Sequence, residues 1–242
     1  MCRLFATISK KKTNAQYWFF DSETPLKLFS EKKINGGPHN SGWGIGWLDK
    51  KWKIFKEGQE SVNKYDFNNI KDIKSNFILI HLRHASVGNS TTKNAHPFIY
   101  KDWIFEHNGG VDRNNLINHL NSDFKSSLTS ETDSEVLFYL IMQMLEEKGD
   151  ILTAIKESVK IIKKYPYRAL NFILSDGESV YVFRDISPKH MDKKEYYCLN
   201  YITIGNEVII SSDPLTHDKW ISVSVGELLE INNNLKIRKY IL

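Results

Sequence analysis

The chain has 242 residues, of which 41% are apolar, with a formal charge of +4 and two cysteines, Cys2 and Cys198. An apolar share of that size supports a substantial buried core and argues against disorder. Two cysteines exclude a disulfide framework and leave a single Cys2–Cys198 bridge as the one pairing available.

The basic residues come in short runs, at 10–12, 32–33, 50–51, 163–164 and 193–194, each beside polar neighbours. Scattered in this way they describe solvated surface and not one continuous nucleic-acid-binding face. The apolar stretch after Met1 meets three lysines too early for a signal peptide. No run approaches the roughly 20 apolar residues of a membrane helix. A cytoplasmic protein is expected, with neither nucleic acid nor membrane as a partner.

Short β-type runs open the chain, at residues 4–8, 43–48, 52–55, 77–83 and 103–107. Two helical patterns follow. Residues 134–147 place Val136, Leu137, Leu140, Ile141, Met144 and Leu145 at helix-face spacing. Residues 150–164 do the same with Ile151, Ile155, Val159 and Ile162, and Gly149 separates the two. Strands then return at 170–175 and 180–184 around an Asp176-Gly177 hairpin turn, and at 202–204 and 208–211 around Gly205-Asn206-Glu207. Runs at 228–231 and 237–241 close the chain. Many strands on short turns with a central helical pair predict an α+β protein, antiparallel sheets with a helical layer on them. No internal repeat or Pro/Gly-rich linker interrupts the chain, so a single domain over residues 1–242 is expected.

Four segments carry candidate chemistry. Met1 precedes a small side chain, so its removal would leave a free α-amine on Cys2. That amine, of reference pKa about 7.7–8.0, is an available base for a thiol of about 8.5. A bland alternative is that Cys2 is a small apolar residue opening a buried strand. The second segment delivers His81, Arg83, His84 and Ser86 at the end of an apolar strand. With His96 and His107 it invites a metal reading, but strand alternation sends His81 and His84 to opposite faces. No Cys/His/carboxylate quartet has zinc-like spacing either, and no metal is expected. Arg83 offers a planar fork suited to a carboxylate, or to a structural ion pair.

In the third segment a strand runs into Asn108, Gly109 and Gly110. An Asn amide beside a glycine N–H is a suitable donor pair for an oxyanion, and the same residues also spell an ordinary Asn-Gly turn. In the fourth, Thr132 and Glu135 have capping-box spacing ahead of the first helix. Asp133 then falls in the first turn, where the helix dipole favours its ionised form and a substrate ammonium group could be held.

Taken in order, Cys2-Arg-Leu-Phe5, His81-Leu-Arg-His-Ala-Ser86, Asn94-Ala-His-Pro-Phe98, His107-Asn-Gly109 and Ser130-Glu-Thr-Asp-Ser-Glu135 resemble the glutaminase domain of class II glutamine amidotransferases, which are N-terminal-nucleophile hydrolases. The resemblance runs from Cys2 through the helix after Asp133, and more loosely to the C-terminus. It implies a four-layer αββα sandwich, two antiparallel sheets between helical layers. It also implies Cys2 as nucleophile with its own α-amine as base, and Asn108 and Gly109 as the oxyanion hole. Arg83 would bind a substrate α-carboxylate, Asp133 an α-ammonium group, Ser86 would lie near the substrate, and His96 would brace the loop. A γ-glutamyl thioester would form and be hydrolysed to glutamate without cofactor or metal.

Two departures stand out. Members fused to synthase domains usually have glycine after the cysteine, where Arg3 stands here, and they continue into an ammonia-consuming domain that this sequence does not contain. Gly37-Pro-His-Asn-Ser-Gly-Trp-Gly44 resembles a region of short, stand-alone members instead, among them γ-glutamyl hydrolases of glutathione degradation and ergothioneine synthesis. The small-molecule substrate implied is glutamine or a γ-glutamyl conjugate. Alternatives are a glutaminase subunit that passes ammonia to a separate synthase partner, and a catalytically silent binding protein of the same fold. Residues 10–37 and 189–197 are the candidate rim of a leaving-group pocket.

Overall fold

The structure, a computed structural model, describes residues 2–31, 39, 41–58, 71–85 and 88–242. Its first sheet has seven strands: β1 (Arg3–Asn14), β2 (Trp43–Asp49), β3 (Lys51–Glu57), β4 (Lys74–Leu82), β9 (Asn200–Ile204), β10 (Glu207–Ser211) and β11 (Ile221–Ser222). The second has six: β5 (Phe98–Tyr100), β6 (Trp103–Val111), β7 (Tyr167–Ser175), β8 (Ser179–Arg184), β12 (Glu227–Asn232) and β13 (Ile237–Ile241). Every pairing is antiparallel, in the orders β11-β9-β10-β1-β4-β2-β3 and β13-β12-β8-β7-β6-β5.

Strand alternation builds the layers. Leu4, Ala6 and Ile8 of β1, with Phe77 and Leu79 of β4, face Ile104, Ile173, Val180 and Val182 of the second sheet in one buried cluster. Phe5, Ile78 and Ile80, the alternate residues, pack outward on Trp18, Phe19 and the short helix α1 (Leu26–Glu31). On the far side, Phe105, Leu170, Phe172 and Leu174 pack beneath α4 (Asp133–Lys148) and α5 (Ile151–Ile162). Two small helices, α2 (Arg113–Leu116) and α3 (Ser122–Ser126), precede α4. The result is the expected αββα sandwich, with a thin outer layer on the first sheet and a long helical pair on the second.

Three local readings change. β1 runs on through Lys10–Lys12 to Asn14, because its pairing with β4, broken by a register shift after Ile8, resumes at Thr13 and Asn14. β6 does not turn at Asn108. It continues to Val111, with Asn108 opposite Asn171 and Gly109 opposite Leu170 on β7, and shifts register only between Gly109 and Val111. The cross-strand partner overrides the local turn signal. Cys2 and Cys198 are free thiols, which removes the disulfide option. No helix among the described residues is long and apolar enough to cross a membrane.

Candidate active site

β1 and β4 place the first elements. Their register pairs Arg3 with Leu82, so Cys2 and Arg83 emerge together at one end of the first sheet. The Cys2 thiol donates to the His84 carbonyl at 3.8 Å, and burial pushes its pKa up while the nearby Arg83 charge opposes that shift. A preformed thiolate is therefore disfavoured.

Arg3 has a structural occupation. It is only 2% exposed, and its Nη1 donates to the Cys2 carbonyl at 3.2 Å. Its Nε lies 2.6 Å from Asp213 Oδ2, an ionic contact without hydrogen-bond alignment, and the guanidinium sits over the Tyr196 ring. Burial raises the Asp213 carboxyl pKa, and Arg3 pulls it back. The nucleophile candidate is thus tethered at its own carbonyl.

Arg83 lies just past the end of β4, and its guanidinium donates to the carbonyls of Ser41, Asn89 and Gly88 at 3.1, 3.1 and 3.3 Å. Backbone oxygens thus hold it, with the Asp133 and Glu131 charges nearby. Asn94 fixes that loop from the other side, donating to the Asn89 carbonyl at 2.9 Å and to Glu131 at 3.1 Å. Ser86 lies outside the described residues, as do 37, 38 and 40 of the Gly-Pro-His segment and 32–37 of the first rim stretch.

The histidines are packing and hydrogen-bonding groups. The His96 ring stacks on His81 at 4.1 Å and meets the edge of Phe98. Both its ring nitrogens lack a partner, and burial drives its pKa well below the usual value. Close approach of β2 makes room for it, since a Cβ on Gly44 would lie 2.1 Å from the His96 carbonyl oxygen. His81 donates from Nε2 to the His107 carbonyl at 3.3 Å, and burial depresses its pKa to about 3. His107 bridges β7 and α4: Nε2 donates to the Ala169 carbonyl at 3.3 Å, which leaves Nδ1 to accept from Ser134 Oγ at 2.9 Å. No cluster of three or more His, Cys, Asp or Glu side chains among the described residues is disposed to hold a metal.

Asn108 is fully buried, and neither atom of its side-chain amide has a hydrogen-bond partner. Gly109 passes under β7 so closely that a Cβ would lie 1.9 Å from the Ala169 oxygen. The Arg168 side chain covers the neighbouring Gly110, and its Nη2 donates to the Gly109 carbonyl at 3.3 Å.

Asp133 begins α4. Thr132 caps the helix by accepting from the Glu135 N–H at 3.3 Å, but the Glu135 carboxylate does not return to Thr132 as a full capping box would. It instead gathers the Thr129 and Ser130 N–H groups at 3.0 and 2.7 Å, and Ser130 Oγ takes the Thr132 N–H. Asp133 accepts from the Val111 N–H at 2.8 Å and remains on the cavity wall.

One cavity brings the dispersed residues together: Cys2, Arg83, His96, His107, Gly109 and Asp133 line it. A second groove shares Asp133 and is bordered by Tyr167, Arg168 and His190, the last from the expected rim stretch 189–197. Sequence reasoning had not singled out Arg3 as an anchor, Arg168, Ser134, Glu106 or Asn171. For the last two a signal existed, a charged or amide residue on the inward-facing parity of an apolar strand.

The family model described as "Glutamine amidotransferases class-II" matches residues 1–204. The probable glutamine amidotransferase DUG3 of Saccharomyces cerevisiae is 24% identical over an alignment covering 88% of this chain and 73% of that protein. An uncharacterized protein of Methanocaldococcus jannaschii is 28% identical, covering 96% of this chain and 70% of its own length. Among solved structures, the glutamine aminotransferase class-II domain protein of Silicibacter pomeroyi superposes with a TM-score of 0.66 at 21% identity, covering 99% of both chains.

Proposed function

The chain belongs to the class-II glutamine amidotransferase family, and on that premise we propose that it hydrolyses the γ-amide of glutamine or of a γ-glutamyl conjugate through Cys2. The observation that carries the proposal is the convergence of Cys2, Arg83, Gly109 and Asp133 on one cavity, although they lie up to 131 positions apart.

Cys2 is the nucleophile, and the α-amine freed by loss of Met1 is its base. Because burial disfavours the thiolate, the proton has to leave as the bond forms, which requires a base within reach. The amine takes the thiol proton while Sγ attacks the γ-carbonyl carbon. Asn108 Nδ2 and the Gly109 N–H donate to the resulting oxyanion. Collapse breaks the C–N bond, and the amine returns its proton to the departing nitrogen. Water then attacks the γ-glutamyl thioester, passes a proton to the amine and releases glutamate, regenerating the thiol. Arg83 supplies the positive charge for the α-carboxylate and Asp133 the negative charge for the α-ammonium group, with Ser86 at the substrate's edge. None of these steps draws on a metal or cofactor.

The test is glutamate release from glutamine, glutathione and a series of γ-glutamyl amides, with Cys2→Ala as control. Release that disappears in the variant supports the proposal, and the preferred donor identifies the leaving group. Equal release from both proteins would sink it. Ammonia appearing only with a synthase present would favour the subunit reading.

A further inference from the structure

β6 carries a carboxyl group that the chemistry above leaves unused. Glu106 is fully buried, and neither of its oxygens has a hydrogen-bond partner. Alternation puts it on the same inter-sheet side as Ile104, two residues behind it, and Asn108, two residues ahead. Asn108 faces Asn171 across the ladder, and Ile173 stands opposite Glu106. Asn171 is also fully buried; its Nδ2 donates to the Tyr197 carbonyl at 3.0 Å while its Oδ1 has no partner. Three adjacent side chains on one face of one sheet thus hold unsatisfied polar atoms, and Gly109, the residue after Asn108, lines the cavity. Native interiors rarely leave one such group unexplained.

The inventory of donors and acceptors limits how these groups can serve the site. Asn108 can aim Nδ2 at a substrate carbonyl only if its Oδ1 faces the other way, and a buried Oδ1 needs a donor. Asn171 does not supply it: its amide nitrogen is turned to the Tyr197 carbonyl, and Asn108 Oδ1 is left without a partner. An ionised carboxylate cannot either, being an acceptor alone, and it would draw Nδ2 back from the cavity. A carboxylic acid has the missing donor.

We propose that Glu106 is a positioning residue for Asn108: its carboxyl O–H donates to Asn108 Oδ1 and so keeps Nδ2 directed at the carbonyl above Cys2. Burial supports the acid form, since it raises the Glu106 pKa well above the usual carboxylate value against the opposing pull of the Phe5 N–H from the first sheet. The neighbours that flank or oppose Glu106 in its own sheet, Ile104, Asn108 and Ile173, carry no charge. From the first sheet, His81 shares the inter-sheet side, and its ring is neutral at ordinary pH. This assignment rests on the proposed role of Asn108 in γ-amide hydrolysis.

Two variants and two readouts test it. Glu106→Gln retains an N–H donor at the same place, whereas Glu106→Leu fills the volume without one. With whichever γ-glutamyl donor the wild type turns over, Glu106→Gln is expected to keep kcat within about threefold. Glu106→Leu is expected to lower kcat by about 10- to 100-fold, short of the about 100- to 1000-fold of an oxyanion donor removed outright because Asn108 is misdirected and not deleted, with KM little changed. Side-chain carbonyl NMR of the wild type at pH 7 gives the second readout, which requires no turnover: a protonated Glu106 carboxyl, and an Asn108 amide signal that shifts in the Leu variant but not in the Gln variant. An ionised Glu106, or an Asn108 signal indifferent to both substitutions, overturns the inference. Equal loss of kcat in both variants overturns it as well. Absence of turnover in the wild type contradicts hydrolysis by this site, and the NMR result still decides the contact.

Discussion

The Val111 N–H donates to Asp133 Oδ2 at 2.8 Å, joining the end of the strand that carries Asn108 and Gly109 to the first residue of the helix beneath it. The two sides of the cavity are therefore built as one unit. Asp133 has a structural and a proposed binding task, and substitution can separate them. Asp133→Asn keeps an acceptor for Val111 and removes the charge. Its expected outcome is a KM raised by about tenfold or more, the worth of a charge-assisted contact, at nearly unchanged stability. Asp133→Ala should add a stability loss of about 1–2 kcal/mol from the orphaned N–H. Steady-state kinetics with urea denaturation distinguishes the two; an unchanged KM in Asp133→Asn would remove Asp133 from substrate binding.

Arg3 and Asp213 form a second coupled pair. Arg3→Met leaves a partly buried carboxylate without its cation, at a cost of about 3 kcal/mol near neutral pH. The pH dependence has a definite sign. The folded-state pKa of Asp213 is already raised above 3.8, and it rises further without Arg3. The unfolded chain then ionises first, so the variant loses stability as pH climbs above that value. Urea midpoints should show a small deficit near pH 4 and the full deficit at pH 7. Asp213→Asn in the Arg3→Met background should recover most of it, and a pH-independent deficit would refute the coupling.

His96 gives the opposite slope. Its folded pKa is depressed well below 6.5 by burial, so the unfolded chain takes up the proton first. That contribution is intact above pH 6.5 and is lost progressively as pH falls below it. His96→Phe preserves the stacking on His81 and removes two unpartnered nitrogens. The variant should match or exceed wild-type stability at pH 7, and its advantage should widen toward pH 5. Thermal unfolding across that range checks it; an advantage that shrinks with acid would contradict the neutral buried ring.

Glu135 organises the turn ahead of α4, taking the Thr129 and Ser130 N–H groups and the Thr129 hydroxyl. Glu135→Ala should cost about 3 kcal/mol, the effect of several buried donors losing one acceptor. It should also raise KM, because Asp133 is mounted on that turn. A stable variant with unaltered KM would show that the turn holds its shape without the carboxylate.

Much of this was legible in the sequence because the sheets read with period two and the helices near 3.6. The runs at 170–175 and 180–184 fall within β7 and β8 around their hairpin, and both long helices begin within a residue of their caps. Cys2, Arg83, Gly109 and Asp133 were named from local chemistry, and the fold brings them to one cavity. What local chemistry could not supply was cross-strand context. Asn108 and Gly109 read as a turn as well as a donor pair until β7 is set beside them, and Arg3 reads only as a departure from glycine until Asp213 arrives from the far end of the chain. The capping-box spacing of Thr132 and Glu135 was right about the helix start and wrong about the carboxylate's partner, which depends on how residues 129–130 fold back.

The most direct measurement is rapid-quench intact-protein mass spectrometry during turnover of the best γ-glutamyl donor, with peptide mapping of the N-terminus. The account predicts a transient species heavier by one γ-glutamyl group, attached to Cys2 of a chain that lacks Met1, and absent from Cys2→Ala. Glutamate release without that adduct, or with the adduct on any other residue, would contradict it.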